Sequence, residues 1–160
     1  MFKRSSHAVF DCRYHLIWTV KYRKRALSSQ HEREECEGLL RRAAQEYGME
    51  IESAEVDADH VHLYIHIPPQ RSVGRAVGIL KSVSARMMFK RFPYLKRKLW
   101  AGELWSASYF ARTVGEGVTG AVVKKYIESH EERALGPAQA ELFPADRRVT
   151  NRRSKKESRN

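Results

Sequence analysis

The order of hydrophobic patterns along the chain predicts an α+β domain, an antiparallel sheet with helices on one face. Three observations carry this. Short segments whose apolar residues alternate with period two read as strands, and longer segments with apolar residues three and four apart read as helices. Their order is strand, helix, strand, strand, helix, strand, helix. A strand that is apolar on one side only needs one covering layer, and two helices supply it. The packing that follows is ferredoxin-like or RRM-like, with a further helix at the C-terminal end that carries a tyrosine.

Residues 9–20, "VFDCRYHLIWTV", place Phe10, Cys12, Tyr14, Leu16, Trp18 and Val20 on one face of the first strand. The basic turn "KYRKR" follows, and Ser28 or Ser29 caps a helix running to about Tyr47. Its stripe is Cys36, Leu40, Ala43 and Tyr47, and Gly48 ends it. "MEIESAEV" and "HVHLYIHI" are two strands joined by "DAD", the second stopped by Pro68 and Pro69. A second helix runs from about Ser72 to Phe92, with Val73, Val77, Leu80, Ser84 and Met87 on one face. "LWSASYFART" reads as the fourth strand. The glycine-rich "VGEGVTG" then leads into a third helix, "AVVKKYIESHEERA". Residues 1–136 are thus expected to form one domain, and the polar, basic residues 137–160 a poorly ordered tail.

The 160 residues fit a single domain, and 42% apolar residues suffice for a core without staples. Thirty Lys and Arg against 19 Asp and Glu leave a net charge of +11, which favours a polyanionic partner. Cys12 and Cys36 form no CxxC pair and suit a reducing compartment as core residues. The N-terminus lacks the apolar region of a signal peptide, and no run approaches the roughly 18 apolar residues of a membrane span. These features argue against disulfide-scaffold and membrane classes, and the expected location is the cytoplasm.

Within "VDADHVHLYIHIPP", residues two apart on a strand point the same way. His60, His62, Tyr64 and His66 therefore share one face, while Val61, Leu63, Ile65 and Ile67 share the other. The apolar set must meet the helices, so the histidines lie on the open face of the sheet. Two imidazoles about 7 Å apart along a strand can converge on one cation. His66, next to the strand end, reads as a surface residue. In the third helix Tyr126 and His130 are four apart, hence on one helical face, beside an apolar stripe of Val123 and Ile127.

"DHVHLYI" with a downstream "KKYIESH" resembles the HUH nucleases, whose two histidines flank one hydrophobic residue. The resemblance extends to the TnpA family, single-tyrosine transposases of small insertion sequences that move as single-stranded DNA. It covers roughly residues 7 to 130. It is carried by "HAVFDCRYHLIWTVKYRKRAL", "DADHVHLYIHIPP", "ILKSVSARMMFKRFP", "LWAGELWSASYFARTVG" and "VVKKYIESH". The resemblance implies a divalent metal, Mg²⁺ or Mn²⁺, held by His60, His62 and His130. It also implies Tyr126 as the nucleophile that forms a 5′-phosphotyrosine, hairpin-bearing single-stranded DNA as substrate, and a homodimer with active sites shared between subunits. The family usually has glutamine where this chain has His130. Imidazole is also a metal ligand, so the departure bears on metal preference. Ligand type alone equally admits Zn²⁺.

Asp57 and Asp59 precede the histidine strand, either to orient the ligand imidazoles or to solvate the turn. Lys21, Arg23, Lys24 and Arg25 after the first strand, and Lys81, Arg86, Lys90 and Arg91 on the second helix, are the candidate phosphate contacts. Two other functions fit parts of the pattern. One is a REP-associated tyrosine transposase acting on host palindromes. The other is a non-catalytic single-strand binding domain, although such RRM sheets offer aromatics where this face offers histidines.

Overall fold

In the computed structural model, which describes residues 3–100 and 102–114, four strands form the expected antiparallel sheet. The elements are β1 (Lys3–Arg4), β2 (Val9–Phe10), β3 (Arg13–Thr19), α1 (Gln30–Glu46), β4 (Glu50–Val56), β5 (His60–His66), α2 (Val73–Arg91), α3 (Leu95–Lys98) and β6 (Phe110–Thr113). The order across the sheet is β4-β5-β3-β6, every neighbour antiparallel. Helix α1 carries the chain from β3 over β5 to β4, and α2 carries it from β5 over β3 to β6. Two interleaved β–α–β units result, the arrangement predicted from element order. The third helix, with Tyr126 and His130, the glycines at 115, 117 and 120, and the tail lie outside the described residues.

The core lies between one face of the sheet and the two long helices. Leu16, Trp18 and Val20 from the first strand region meet Val61, Leu63, Ile65 and Ile67 from the β5 region. Cys36, Leu40 and Ala43 of α1 and Val77, Leu80 and Met88 of α2 close over them. Helix α1 begins where the serine pair predicts. Ser29 accepts from the Glu32 amide at 3.1 Å, and the Glu32 carboxylate accepts from the Ser29 amide at 2.8 Å, a reciprocal capping box. It ends at Gly48, whose φ of +72° is cheap only for glycine. Tyr47, expected on the buried stripe, is the C-cap and is exposed; Leu39 and Ala44 are buried instead. On α2, Met88 rather than Met87 is fully buried.

Two expected strands are shorter than their alternation suggests. The first is divided, since Val9–Phe10 pairs with Lys3–Arg4 and the sheet strand starts only at Arg13. Between them Asp11 turns its carboxylate onto the Arg13 guanidinium, at 2.6 and 2.8 Å. The fourth strand shrinks to Phe110–Thr113, with Trp105 making a lone bridge to Val20. Lys81 explains the gap. Its ammonium donates to the carbonyls of Ser106 and Ser108 at 2.7 and 2.8 Å, holding this stretch as a loop. Helix α3, absent from the sequence reading, follows Pro93 and anchors on buried Leu95.

Removing the capping box tests how far α1 depends on it. Ser29→Ala should cost about 1 kcal/mol, measured as a lower urea midpoint with an unchanged slope.

Candidate active site

The face of the sheet turned away from the helices is polar because of the β5 alternation and its pairing. Register sets His62 against Ile17 of β3 and Glu55 of β4, and Tyr64 against His15 and Ser53. On the far side of β3, Arg112 of β6 stands opposite His15. A cleft of about 390 Å³ opens here, lined by His15, Ser53, Glu55, His62, Tyr64 and Val114 among others. Ile17, opposite His62 in the register, is fully buried.

Each of the two candidate ligands on β5 has one ring nitrogen in a defined contact. His60 Nδ1 lies 2.8 Å from Asp59 Oδ1, and the other carboxylate oxygen accepts from Arg23 Nε at 3.2 Å. Burial pushes the Asp59 carboxyl up, but the bond to His60, the charge of His60 and Arg23, and the bond to Arg23 hold it below its ordinary value. It is therefore an anion at neutral pH, an acceptor that fixes the His60 tautomer and leaves Nε2 for a ligand. His62 Nε2 lies 3.0 Å from His15 Nδ1 on the neighbouring strand. Burial, then the charge of His15, lowers the His62 pKa, and burial followed by Arg112 lowers that of His15. Both imidazoles are thus kept neutral, the form that can bind a metal.

The donor set fits a hard divalent cation. Asp57, Asp59 and His60 each bring one donor atom within 4.8 Å of the others, a group whose chemistry could hold a divalent cation. His62 is outside this cluster, held by His15. Asp57 also accepts from the Ala58 amide at 2.6 Å, so it shapes the turn as well. His66, expected at the surface, is only 4% exposed and meets Glu52 of β4. The β-bulge between Ile51 and Ser53 lies beside that contact. His15 escaped the sequence reading. Its signal was there, since it falls in the opposite phase to Leu16 and Trp18 and so on the histidine face.

A family model described as transposase, IS200 like, matches residues 8–130. The chain belongs to the IS200-like transposase family. It is 43% identical over 134 residues to the ISDra2 transposase TnpA of Deinococcus radiodurans, covering 82% of this chain and 92% of that protein. The transposase for insertion element IS200 of Salmonella typhimurium is 32% identical over 143 residues, 89% of this chain and 92% of its own length. The crystal structure of a Deinococcus radiodurans R1 protein assigned as a transposase superposes with a TM-score of 0.73 at 39% identity. That match spans 80% of this chain and 97% of the other. The TnpA resemblance read from the motifs therefore holds.

The basic residues named as phosphate contacts separate into two groups in this IS200-like domain. Lys21 is paired with Glu103, Arg23 with Asp59 and Arg91 with Glu35. Lys81 is half-buried over the Trp18 and Tyr109 rings, and burial lowers its pKa to about 8. Its ammonium serves the 106–108 loop rather than the surface. Arg25, Arg86 and Lys90 are exposed, and Lys24 is partly so. Arg86 and Lys90 stand on the helix layer, behind the sheet from the histidines. Among the described residues no helix is long and apolar enough to cross a membrane.

The His15–His62 contact makes a pH prediction. His62 should titrate below its ordinary 6.5, and His15→Asn should move it partway back up by removing the repelling neighbour. Imidazole proton shifts followed by NMR across pH 4.5–8 would check this. An unmoved His62 would mean burial alone sets its value.

Proposed function

We propose that the chain is a single-strand DNA transposase that cleaves and rejoins DNA through one tyrosine and a divalent cation. Family membership supports transposition. The observation that supports the finer reading is the oriented pair His60 and His62 on the open sheet face, each with one ring nitrogen in a defined contact, and Asp57 and Asp59 beside His60. His60 and His62, joined by His130, would hold the cation, and Asp59 would orient His60 as an acceptor at Nδ1. When bound, such a cation supplies Lewis-acid polarisation of a phosphate oxygen.

Tyr126 is the proposed nucleophile. A phenol has pKa about 10, so roughly a thousandth is phenoxide at neutral pH, and the scissile phosphate is itself an anion. Attack by the phenol oxygen forms the new P–O bond of a 5′-phosphotyrosine and breaks the P–O3′ bond. The phenol loses its proton, and the departing oxygen gains one to become a free 3′-OH. The phosphodiester's energy stays in the covalent link, so rejoining to another strand needs no nucleotide triphosphate. Lys24, Arg25, Arg86 and Lys90 would position the backbone without reading bases. The reading includes hairpin-bearing element ends as substrate and a homodimer with shared sites. Three glycines, Gly115, Gly117 and Gly120, precede Tyr126 in the sequence, and glycine accepts backbone angles closed to other residues.

Incubation with hairpin-bearing single-stranded DNA and Mn²⁺ should yield a covalent adduct on a denaturing gel, lost on chelation. Tyr126→Phe should abolish the adduct while hairpin affinity stays within a few-fold. Cleavage by Tyr126→Phe at the normal position would remove Tyr126 from the nucleophile role.

A mixing experiment tests the shared sites. Tyr126→Phe and His60→Ala/His62→Ala subunits, each inactive alone, should regain cleavage together, because a mixed dimer contains one site with both parts intact. A mixture that stays inactive despite demonstrated heterodimers would place each site within one chain.

A further inference from the structure

Trp100 is 90% exposed, whereas the other two tryptophans, Trp18 and Trp105, are 0% and 6% exposed. A bare indole is costly to leave in water, and its surroundings here are cationic. Lys24 Nζ sits 5.3 Å from the centre of the Trp100 ring and donates to the Lys98 carbonyl at 3.1 Å. Lys98 in turn reaches Ser28 Oγ at 3.2 Å and lies over the Tyr94 ring at 5.5 Å. These contacts bind the 21–24 turn to the 94–100 segment, and Arg25, Lys96 and Arg97 beside them are exposed.

The turn itself is strained in a way that presents a second ring. Tyr22 and Arg23 adopt φ of 57° and 52°, left-handed values that non-glycine residues hold only when surroundings impose them. The Lys21 amide donates to the Leu104 carbonyl at 2.8 Å, and Arg23 reaches Asp59, so both sides of Tyr22 are tied down. Tyr22 is left 68% exposed, with Lys21 Nζ 5.6 Å from its ring centre.

We propose that the 21–24 turn and the 94–100 segment form a docking surface for single-stranded DNA, with bases stacking on Trp100 and Tyr22. This rests on the transposase reading, since it names where that substrate's unpaired strand would lie. Exposed rings interleaved with cations are the means by which proteins hold single strands without reading sequence. Rings accept any base face, and the cations meet phosphates, so the charge of the surface matches this occupant. The surface is also continuous with the site, because Arg23 of the same turn holds Asp59, and Asp59 holds His60. A strand resting on the turn would lead toward the histidine face.

The test uses the full-length protein and a twelve-residue oligothymidylate at low salt. Tryptophan emission should be quenched on titration, and the change would report Trp100, because Trp18 and Trp105 are buried. Trp100→Ala should lose the quenching and weaken binding roughly tenfold by anisotropy of a labelled oligomer. Trp100→Phe should lose the quenching but recover most of the affinity, and circular dichroism melts would establish that both variants are folded. Trp100→Ala binding the oligomer as tightly as the wild type would overturn the proposal. The wild-type adduct assay separates the two readings. An adduct without oligothymidylate quenching sinks the docking surface alone. Quenching without an adduct supports the surface and sinks the phosphotyrosine mechanism.

Discussion

Strand β5 is the element on which the core and the site both depend, because its two faces do opposite work. Val61, Leu63 and Ile65 are fully buried against the helices, and His60, His62 and Tyr64 line the open face. A register slip of one residue would exchange the two sets. Returning three aliphatic side chains to water would cost roughly 5–9 kcal/mol, at about 1.5–3 kcal/mol each. That is comparable to the whole stability of a small domain, about 5–15 kcal/mol. The hydrophobic core therefore aims the histidines. Their direction needs no contribution from any ligand, and the site is positioned by folding.

Aim alone would leave the imidazoles free to rotate, and the neighbouring groups remove that freedom differently for each. Asp59 fixes His60 from within the hairpin turn and is itself steadied by Arg23 from the end of β3. His62 is fixed across the sheet by His15. One candidate ligand thus has an anion behind it and the other a second imidazole. His60 is the one clustered with Asp57 and Asp59.

How much of this could be read from the chain depends on whether the cause is local. The alternation of His60 to Ile65 in β5, the serine cap of α1 and the Gly48 terminus are all encoded within a few residues, and each sits where the pattern places it. The His15–His62 contact is different. It requires the pairing of β3 with β5 in one register, which the periodicity of either strand leaves open. Lys81 misleads for a related reason. In sequence it is one more cation on a basic helix, and only the loop folded over it turns its ammonium inward. The exposure of Trp100 depends on tertiary packing as well, because it follows α3 outside any periodic segment.

The placement of charge completes the physical picture. The histidine face carries Glu55 as well as Arg112, so it is not uniformly basic, while the exposed cations Arg86 and Lys90 lie behind the sheet on α2. One polyanion touching both layers must pass around the molecule rather than lie across a single face. The 21–24 turn is where that path meets the site, because it closes β3, packs against the 98–104 segment and reaches Asp59. Strain at Tyr22 and Arg23 is tolerated there because one side chain of the pair is committed inward to the histidine turn and the other outward to solvent. A backbone in the ordinary β region would alternate the two residues differently. Holding Arg23 on Asp59 while presenting Tyr22 is thus what the left-handed pair accomplishes, and it ties the exposed ring of the turn to the carboxylate that holds His60.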